Sequence, residues 1–536
     1  MSYAVGHADE GVCICLHMGP YRILLDCGLA DVEPLTTSDH PPADFVFCSH
    51  AHSDHARGLL PLHHAYSDLP VYASEVTARL VEFNWLGASP PRFCQPVPWR
   101  SPIHLAPQLT LELWPAGHLP GAAVAVLTYE AEQQTYKAVY TGDFTLSNSR
   151  LVDGFPLEEL RNLKPDVLIV EGSYGTARHP RRRQQENQLA AKISQSLQHQ
   201  RSVVLPTTIL GMGQEILMLL RSHHHFTGQD INIWVNGAIA AACDTYLDLL
   251  NSFPNTVQNF ARHQALFWDE RIRPYVRRLD TATPELVQTG LNIVITESTA
   301  DLELCYDLYP EAWHLLIPET PGRLSTVQTS VQAQIQASEP LRSRLKTGEL
   351  TVDSYLLSNH CDGAGTIQAI HNIRPQHVVF VHGSPSYLTD LTGVEDLQNR
   401  YHLHLPTAET IVELPTSDRF LQPESPDNNY GGELTELKTA VFITLDQAIT
   451  TEPRWQQFAD TGIIEARWQG NELVLRGIEQ REILSDISGN GEIDCCDSCI
   501  YYRGQRCWNE ASALFGFHVT PEGYCPAYKS AYGDTT

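Results

Sequence analysis

Apolar residues in this chain gather in short runs separated by polar stretches rich in glycine and proline, and the texture changes along the chain. Up to about residue 170 the runs are brief: Ile23-Leu24-Leu25, Phe45-Val46-Phe47-Cys48, Leu111-Glu112-Leu113-Trp114, Lys137-Ala138-Val139-Tyr140 and Val167-Leu168-Ile169-Val170. Runs of this length bounded by turn formers predict buried strands. One longer segment, Glu75 to Trp85, sets Val76, Leu80, Val81 and Trp85 on a single helical face. Beyond Tyr174-Gly175, strands and helices alternate. A helix from Arg181 to Leu197 precedes the strand Val203-Val204-Leu205. The helix Gln214 to Leu220, the strand at Ile231–Val235 and a helix from Ala238 to Leu250 come next, followed by strands at Asn292–Ile295 and His314–Ile317. Such alternation predicts a parallel α/β layer.

Each of the five early runs delivers a potential ligand just past its end: Asp26, His50, His118, Asp143 and Glu171. The same habit returns late. Leu350 to Leu357 runs into Ser358-Asn359-His360, a helix is expected around Thr366–His371, and Val378–Val381 runs into His382-Gly383. The economical reading is a first domain, 1–174, interrupted by an inserted α/β domain, 175–345, and resumed over 346–415. A linker and small strand-bearing region, 416–485, follows. It holds the Pro-rich Gln422–Asp427 and a hairpin pairing Ile463–Trp468 with Glu472–Leu475. A cysteine-rich module spans 486–536.

Composition sharpens this only in places. At 536 residues the chain exceeds a single core, and 42% hydrophobic with 18% charged residues is ordinary globular usage. No apolar run approaches a membrane span of roughly 18 residues, and the first residues lack a basic stretch followed by an apolar one. The expectation is a cytoplasmic protein with no membrane partner. A net charge of −27 disfavours polyanion binding by the surface at large, so a nucleic-acid substrate would need a local basic groove or bound metals. Of 13 cysteines, five crowd into the last stretch as Cys495, Cys496, Cys499, Cys507 and Cys525. In a reducing compartment that pattern points to metal rather than disulfides.

The densest chemistry lies in His50-Ala51-His52-Ser53-Asp54-His55, three imidazoles and a carboxylate immediately after a strand. These are the donor types a zinc-like ion prefers. At offsets 0, 2, 4 and 5 they diverge too much for one ion and suit two, so the rest of the chain must supply more ligands.

Taken together, the motifs resemble the metallo-β-lactamase-fold hydrolases. Leu-Asp26-Cys-Gly, His50-x-His52-x-Asp54-His55, Ala-Gly-His118 and Tyr-Thr-Gly-Asp143 occur in that family's order. Glu171-Gly-Ser-Tyr174-Gly175, Ser-Asn-His360-Cys-Asp362 and Val-His382-Gly resemble the motifs of its β-CASP branch, which contains ribonuclease J-like enzymes and the polyadenylation-factor endonuclease. The likeness covers residues 10 to 410. It implies an αββα sandwich with an inserted β-CASP-type α/β domain, to which the sequence adds the small cysteine-rich C-terminal module. It also implies two zinc ions: His50, His52 and His118 on one, Asp54, His55 and His382 on the other, Asp143 bridging, and Asp26 orienting a ligand imidazole through its ring N–H. The two ions would acidify a bridging water for attack on phosphorus. Glu171 and His360 would form a pair on the leaving-group side, with His360 as general acid.

Departures concern the inserted domain. Gly211-Met212-Gly213-Gln214-Glu215 stands where the family carries Gly-Arg-x-Gln-Glu, and Thr296-Glu297-Ser298-Thr299 replaces another motif. Both weaken a phosphate groove. Arg178 with Arg181–Arg183, and Arg271, Arg273, Arg277 and Arg278, either compensate or lie on solvated helix faces. At the C-terminus, Cys496, Cys499, Cys507 and Cys525 are candidate ligands for a structural zinc or an iron–sulfur cluster. The expected activity is therefore a dinuclear zinc ribonuclease acting on single-stranded RNA. The alternative is a zinc hydrolase of a small ester, lactone or thioester on the same fold. Homo-oligomerisation is left open.

Overall fold

The computed structural model describes residues 1–415 apart from 8–9, 89, 133, 280–290, 301, 303–311 and 321–325. Beyond 415 it describes the backbone of four strands and part of 499–519. The chain divides into two units, Met1–Gln422 and Pro423–Thr536.

The first unit is built on three sheets. Ser2–Val5, Val12–Met18, Tyr21–Leu25, Phe45–Phe47, Val71–Ser74 and Cys94–Val97 form the first, in sequence order. The second runs His402–His404, His377–Val381, Val167–Glu171, Thr135–Tyr140, Ala123–Glu130, Leu109–Pro115 and Ile103–Ala106. Their inner faces meet. Val12, Ile23, Leu25 and Phe47 from one sheet share a core with Leu111, Ala125, Leu127, Tyr140, Ile169 and Val381 from the other. Outer faces are covered by helices: Leu24, Val46 and Val71 pack with Leu59, Leu62, Val76 and Leu80, while Leu168, Val170 and Phe380 pack with Ile370, Ile373, Leu388 and Leu391. This is the αββα sandwich. Strands buried on both faces lose the polar/apolar alternation of a half-exposed strand. In Ala123–Glu130, for example, Ala123, Ala125 and Leu127 enter the inner core while Val124 and Val126 enter the outer one.

Direction matters for chemistry. Tyr21–Leu25 and Phe45–Phe47 are parallel, as are Thr135–Tyr140, Val167–Glu171 and His377–Val381. Their C-terminal ends therefore gather Asp26, His50, Asp143, Glu171 and His382 at one edge of the sandwich. Loops at such ends are where layered α/β proteins place ligand sites.

The third sheet, all parallel, runs Tyr275–Arg278, Ile231–Val235, Leu291–Glu297, Ser202–Thr207, Trp313–Pro318 and Leu350–Tyr355. One boundary moves. The strand Leu350–Tyr355, expected in the resumed first domain from 346, instead pairs in parallel with Trp313–Pro318. The chain thus leaves the inserted layer only after Tyr355. Its apolar run is the same in either sheet, so periodicity could not choose. The expected Glu75–Trp85 helix is also split, with α-helix over Glu75–Leu80 continuing as a 3-10 turn over Val81–Trp85. Among the described residues no helix is long and apolar enough to cross a membrane.

Glu215 ties the layers together. From the helix Met212–Ser222 its carboxylate accepts hydrogen bonds from Ser149 Oγ (2.6 Å), Arg150 N (3.0 Å), Leu151 N (3.0 Å) and Arg182 Nη2 (3.1 Å). Ser149–Leu151 follow a strand of the second sheet, and Arg182 opens the helix Arg182–Gln198.

In the second unit Gly432–Leu437, Ala440–Leu445, Ile463–Gln469 and Glu472–Gly477 form an antiparallel sheet, and the last two are the expected hairpin. Tyr502–Arg503 pairs with Arg506–Cys507. Cys507 is a buried thiol and Cys499 a half-buried one. Cys495, Cys496, Cys525 and the linker Gln422–Asp427 lie outside the described residues.

Glu215→Ala removes the acceptor of four donors, one of them a guanidinium only 11% exposed. Breaking such a buried pair costs about 3–5 kcal/mol. The expected result is a lower urea midpoint for the first unit, followed by tryptophan fluorescence.

Candidate metal centre

Asp26 sits at the base of the site, fully buried and at φ 58°. Its carboxylate takes Ser49 N (2.6 Å) on Oδ1. On Oδ2 it takes Ser49 Oγ (2.7 Å), Tyr140 Oη (2.6 Å) and His55 Nδ1 (2.7 Å). An ionised carboxylate only accepts, so His55 must carry its proton on Nδ1 and leave Nε2 with the lone pair. Ser49 Oγ, having donated to Asp26, is an acceptor for His50 Nδ1 at 3.0 Å, which leaves the lone pair of His50 on Nε2 as well. His118 Nδ1 lies 2.9 Å from the Asn359 carbonyl, so its Nε2 is free. His52 is turned the other way. Its Nε2 faces the Leu210 carbonyl at 3.3 Å and Nδ1 keeps the lone pair.

The free atoms converge. Asp143 Oδ2 lies 3.5 Å from His50 Nε2 and 3.6 Å from His118 Nε2, while Oδ1 lies 3.4 Å from His55 Nε2 and 3.1 Å from His382 Nδ1. His382 Nε2 lies 3.3 Å from Asp54 Oδ2. Two donor sets result, His50, His52, His118 and Asp143 on one side and Asp54, His55 and His382 on the other. Asp143 presents one oxygen to each.

Three observations fit divalent cations. His118 Nε2 and His52 Nδ1, both left with lone pairs by the bonds just described, face each other at 3.0 Å. Without a cation between them they repel. His50 Nε2, His55 Nε2 and Asp143 Oδ1 are buried with no hydrogen-bond partner, a costly state for polar atoms. All-imidazole and carboxylate donors are the set that zinc takes.

The site's own charges balance in the same sense. Burial, reinforced by His55, pushes His50 well below the ordinary histidine range, and burial with His360 pushes His118 down to about 3. Both are neutral ligands-in-waiting. Burial opposes charging His55 and His382, yet the surrounding carboxylates together outweigh it. Asp143 and Asp26 raise His55 well above the usual value, and Asp143, Asp54 and Glu171 draw His382 up to about 9, so a bound cation would displace a proton from each ring. Asp143 is held well below the carboxylate range against burial by His382 and His55.

Glu171 and His360 stand beside this centre. Glu171 accepts from Phe144 N (2.7 Å) and from the Ser173 hydroxyl, and both its oxygens lie within hydrogen-bond reach of His360 Nδ1, at 3.1 and 3.0 Å. Burial disfavours the carboxylate, but His360 brings Glu171 down to about 2; Glu171 and Asp143 in turn raise His360 against its burial. His360 Nδ1 lies 3.9 Å from Asp143 Oδ2, so the pair adjoins the ligand set.

Close packing fixes the ligand loops. A Cβ on Gly28 would fall 1.7 Å from the Asp54 carbonyl oxygen, and one on Gly6, at φ +79°, would fall 2.8 Å from His382 Cα. Only glycine lets these strands approach. Ser49, Tyr140, Ser173 and the carbonyls of Leu210 and Asn359 escaped sequence reading, because hydroxyls and backbone oxygens carry no metal signature.

A cleft of ≈ 340 Å³ opens next to His118, walled by Gly117, Ser147, Ser149, Arg182, Met212 and Ser358. Met212 does place a thioether on this wall, but Arg182 from the neighbouring helix brings a guanidinium, tethered to the Ser358 carbonyl (2.8 Å) and Glu215. The other arginine cluster faces acids: Arg271 with Asp269, Arg273 with Asp230, Arg277 with Glu270 and Arg278 with Asp244. Arg277 and Arg278 lie on the strand Tyr275–Arg278 rather than on a helix.

Comparison with known proteins agrees with this geometry. Residues 21–205 match a beta-lactamase superfamily domain and residues 349–393 a Zn-dependent metallo-hydrolase RNA specificity domain. An uncharacterized protein of Synechocystis sp. is 45% identical over 99% of this chain and 96% of its own length. A probable RNase of Methanocaldococcus jannaschii is 30% identical over 40% of this chain and 54% of its own. Cleavage and polyadenylation specificity factor 73 of Drosophila melanogaster is 24% identical over 71% of this chain and 59% of its own. The chain thus spans between half and three-fifths of these two named proteins.

Replacing the carboxylate behind His55 tests the tautomer argument. Asp26→Asn should weaken zinc binding by about 10–100-fold, read by competition with a chromophoric chelator, while far-UV circular dichroism stays that of the parent.

Proposed function

We propose that this chain, which belongs to the β-CASP branch of the metallo-β-lactamase-fold hydrolases, is a ribonuclease that hydrolyses phosphodiester bonds in single-stranded RNA. One observation carries the reading most: the Asp143 carboxylate presents an oxygen to each of two histidine sets, and the His50 Nε2 and His55 Nε2 atoms that face it are buried with no hydrogen-bond partner. His50, His52 and His118 would hold one zinc ion, Asp54, His55 and His382 a second, with Asp143 shared. When bound, the pair would make a hydroxide nucleophile available near neutral pH and offset charge developing on the phosphate.

The chain's own residues supply the rest. Asp26, Ser49 and the carbonyls of Asn359 and Leu210 lock His55, His50, His118 and His52, in that order, in one tautomer and orientation. Glu171 fixes His360 through Nδ1, favours its protonated form and leaves Nε2 to donate a proton to the departing ribose oxygen. Arg182 and the Ser147, Ser149 and Ser358 hydroxyls line the cleft where a strand would lie. RNA as substrate is supported by the match to an RNA specificity domain and by the likeness to the archaeal probable RNase and the insect cleavage and polyadenylation factor. The nine described cysteines are unpaired thiols, the state a reducing cytoplasm maintains.

Zinc-loaded protein should cleave end-labelled single-stranded RNA and lose cleavage after chelation, with recovery on zinc addition. His360→Ala should keep its zinc and lose about 10²–10⁴ in kcat. That defect should largely vanish on RNA carrying a bridging sulfur in place of the departing oxygen, since a thiolate leaves without a proton. Zinc-replete protein inert towards RNA but active on a lactone or thioester panel would overturn the substrate assignment. An undiminished His360→Ala defect on the sulfur substrate would overturn the role of His360.

A further inference from the structure

A second group of imidazoles lies outside the catalytic centre. The helix Met212–Ser222 ends in His223, and His224 and His225 follow directly. Consecutive side chains ordinarily diverge, but here all three rings pack together: centroids are 4.4 Å apart for His223 and His224, 4.8 Å for His223 and His225, and 4.4 Å for His224 and His225. One nitrogen from each lies within 4.8 Å of the other two. The helix beginning at Met212 covers 11 residues, so at 1.5 Å per residue this cluster stands about 16 Å from the end that borders the catalytic cleft.

We propose that His223, His224 and His225 form a binding site for one divalent transition-metal ion of the zinc class, separate from the catalytic pair. His223 is 7% exposed and its Nε2 lies 3.2 Å from Asn187 Oδ1, an acceptor, so that nitrogen carries the proton and Nδ1 offers the lone pair. This is the arrangement in which a ligating histidine is steadied by a partner on its far nitrogen. His223 Nδ1 accepts one long hydrogen bond, from His225 N–H at 3.3 Å, which a bound ion would replace. His225 Nδ1 is buried and has no partner.

The surroundings tolerate a cation. The cluster caps a helix C-terminus, where unpaired carbonyls favour positive charge. Arg150, the nearby guanidinium, is held by Glu186 at 2.6 Å. Nitrogens around a tetrahedral zinc lie about 3.4 Å apart at Zn–N distances near 2.1 Å, so the rings must draw in by an ångström or so. His224 is exposed and His225 half-buried. Three ligands leave a fourth position to water, making this ion more labile than the catalytic ones.

Full-length protein stripped with chelator, reloaded with zinc chloride and desalted should bind one zinc more per chain than His224→Ala/His225→Ala prepared identically. RNA cleavage and the thermal midpoint in chelator should be unchanged, showing that the double variant folds. Asn187→Ala should retain the ion but lower its affinity by about 10–100-fold. Equal zinc content in parent and double variant overturns the site, and unaltered affinity in Asn187→Ala overturns coordination through His223 Nδ1. The test reads metal content, so its failure would leave the catalytic reading standing, and the reverse holds too.

Discussion

The buried carboxylate of Asp26 is the constraint on which the rest of the centre depends. Four donors meet it, from Ser49 twice, Tyr140 and His55. Because a carboxylate can only accept, each bond dictates where a proton sits, and that decision passes outward. His55 is fixed directly and His50 through the Ser49 hydroxyl. Two ligand nitrogens are thereby aimed at Asp143 before any ion arrives. A preorganised donor set costs little to reorder on binding, which is how protein sites reach high affinity with few contacts.

The sandwich makes this possible by running parallel strands to a common edge. Asp26 and His50 end strands of one sheet, while Asp143, Glu171 and His382 end strands of the other. The inner core of Ile23, Leu25, Phe47, Tyr140 and Ile169 holds the two edges together at the depth of the site. The inserted layer then reaches in with both backbone and side chain: the Leu210 carbonyl turns His52, and the Arg182 guanidinium tethers the loop whose Asn359 carbonyl turns His118. Arg182 and Asn359 thus belong both to the wall of the cleft and to the support of His118.

Much of this was legible in the chain. The elements expected in the first 400 residues fall where the apolar runs put them, apart from the split at Glu75–Trp85 and the reassigned strand Leu350–Tyr355, while others, such as the strands Val12–Met18 and Ala123–Glu130 and the helix Leu59–Ala65, were not expected. The split and the reassignment both have a local cause. A 3-10 turn keeps nearly the same residues on one face as an α-turn, and Leu350–Tyr355, half-exposed at an edge of the third sheet, carries no pattern that names its partner strand. Arg182, 30 positions from Met212 in sequence, brings a guanidinium to the cleft wall, where it is paired with Glu186 and Glu215. Arginines that read as a basic cluster, Arg271 to Arg278, are occupied by acids that only folding brings near.

The sequence by itself determined the donor types and where they fall, since histidine and carboxylate chemistry is a property of single residues and strand ends follow from local apolar runs. Which nitrogen of each imidazole faces inward was decided only by the tertiary structure. That choice rests on hydroxyls such as Ser49 and Tyr140 and on the carbonyls of Leu210 and Asn359. Every residue has a carbonyl, so its position in space, and not its identity, is what gives it a role.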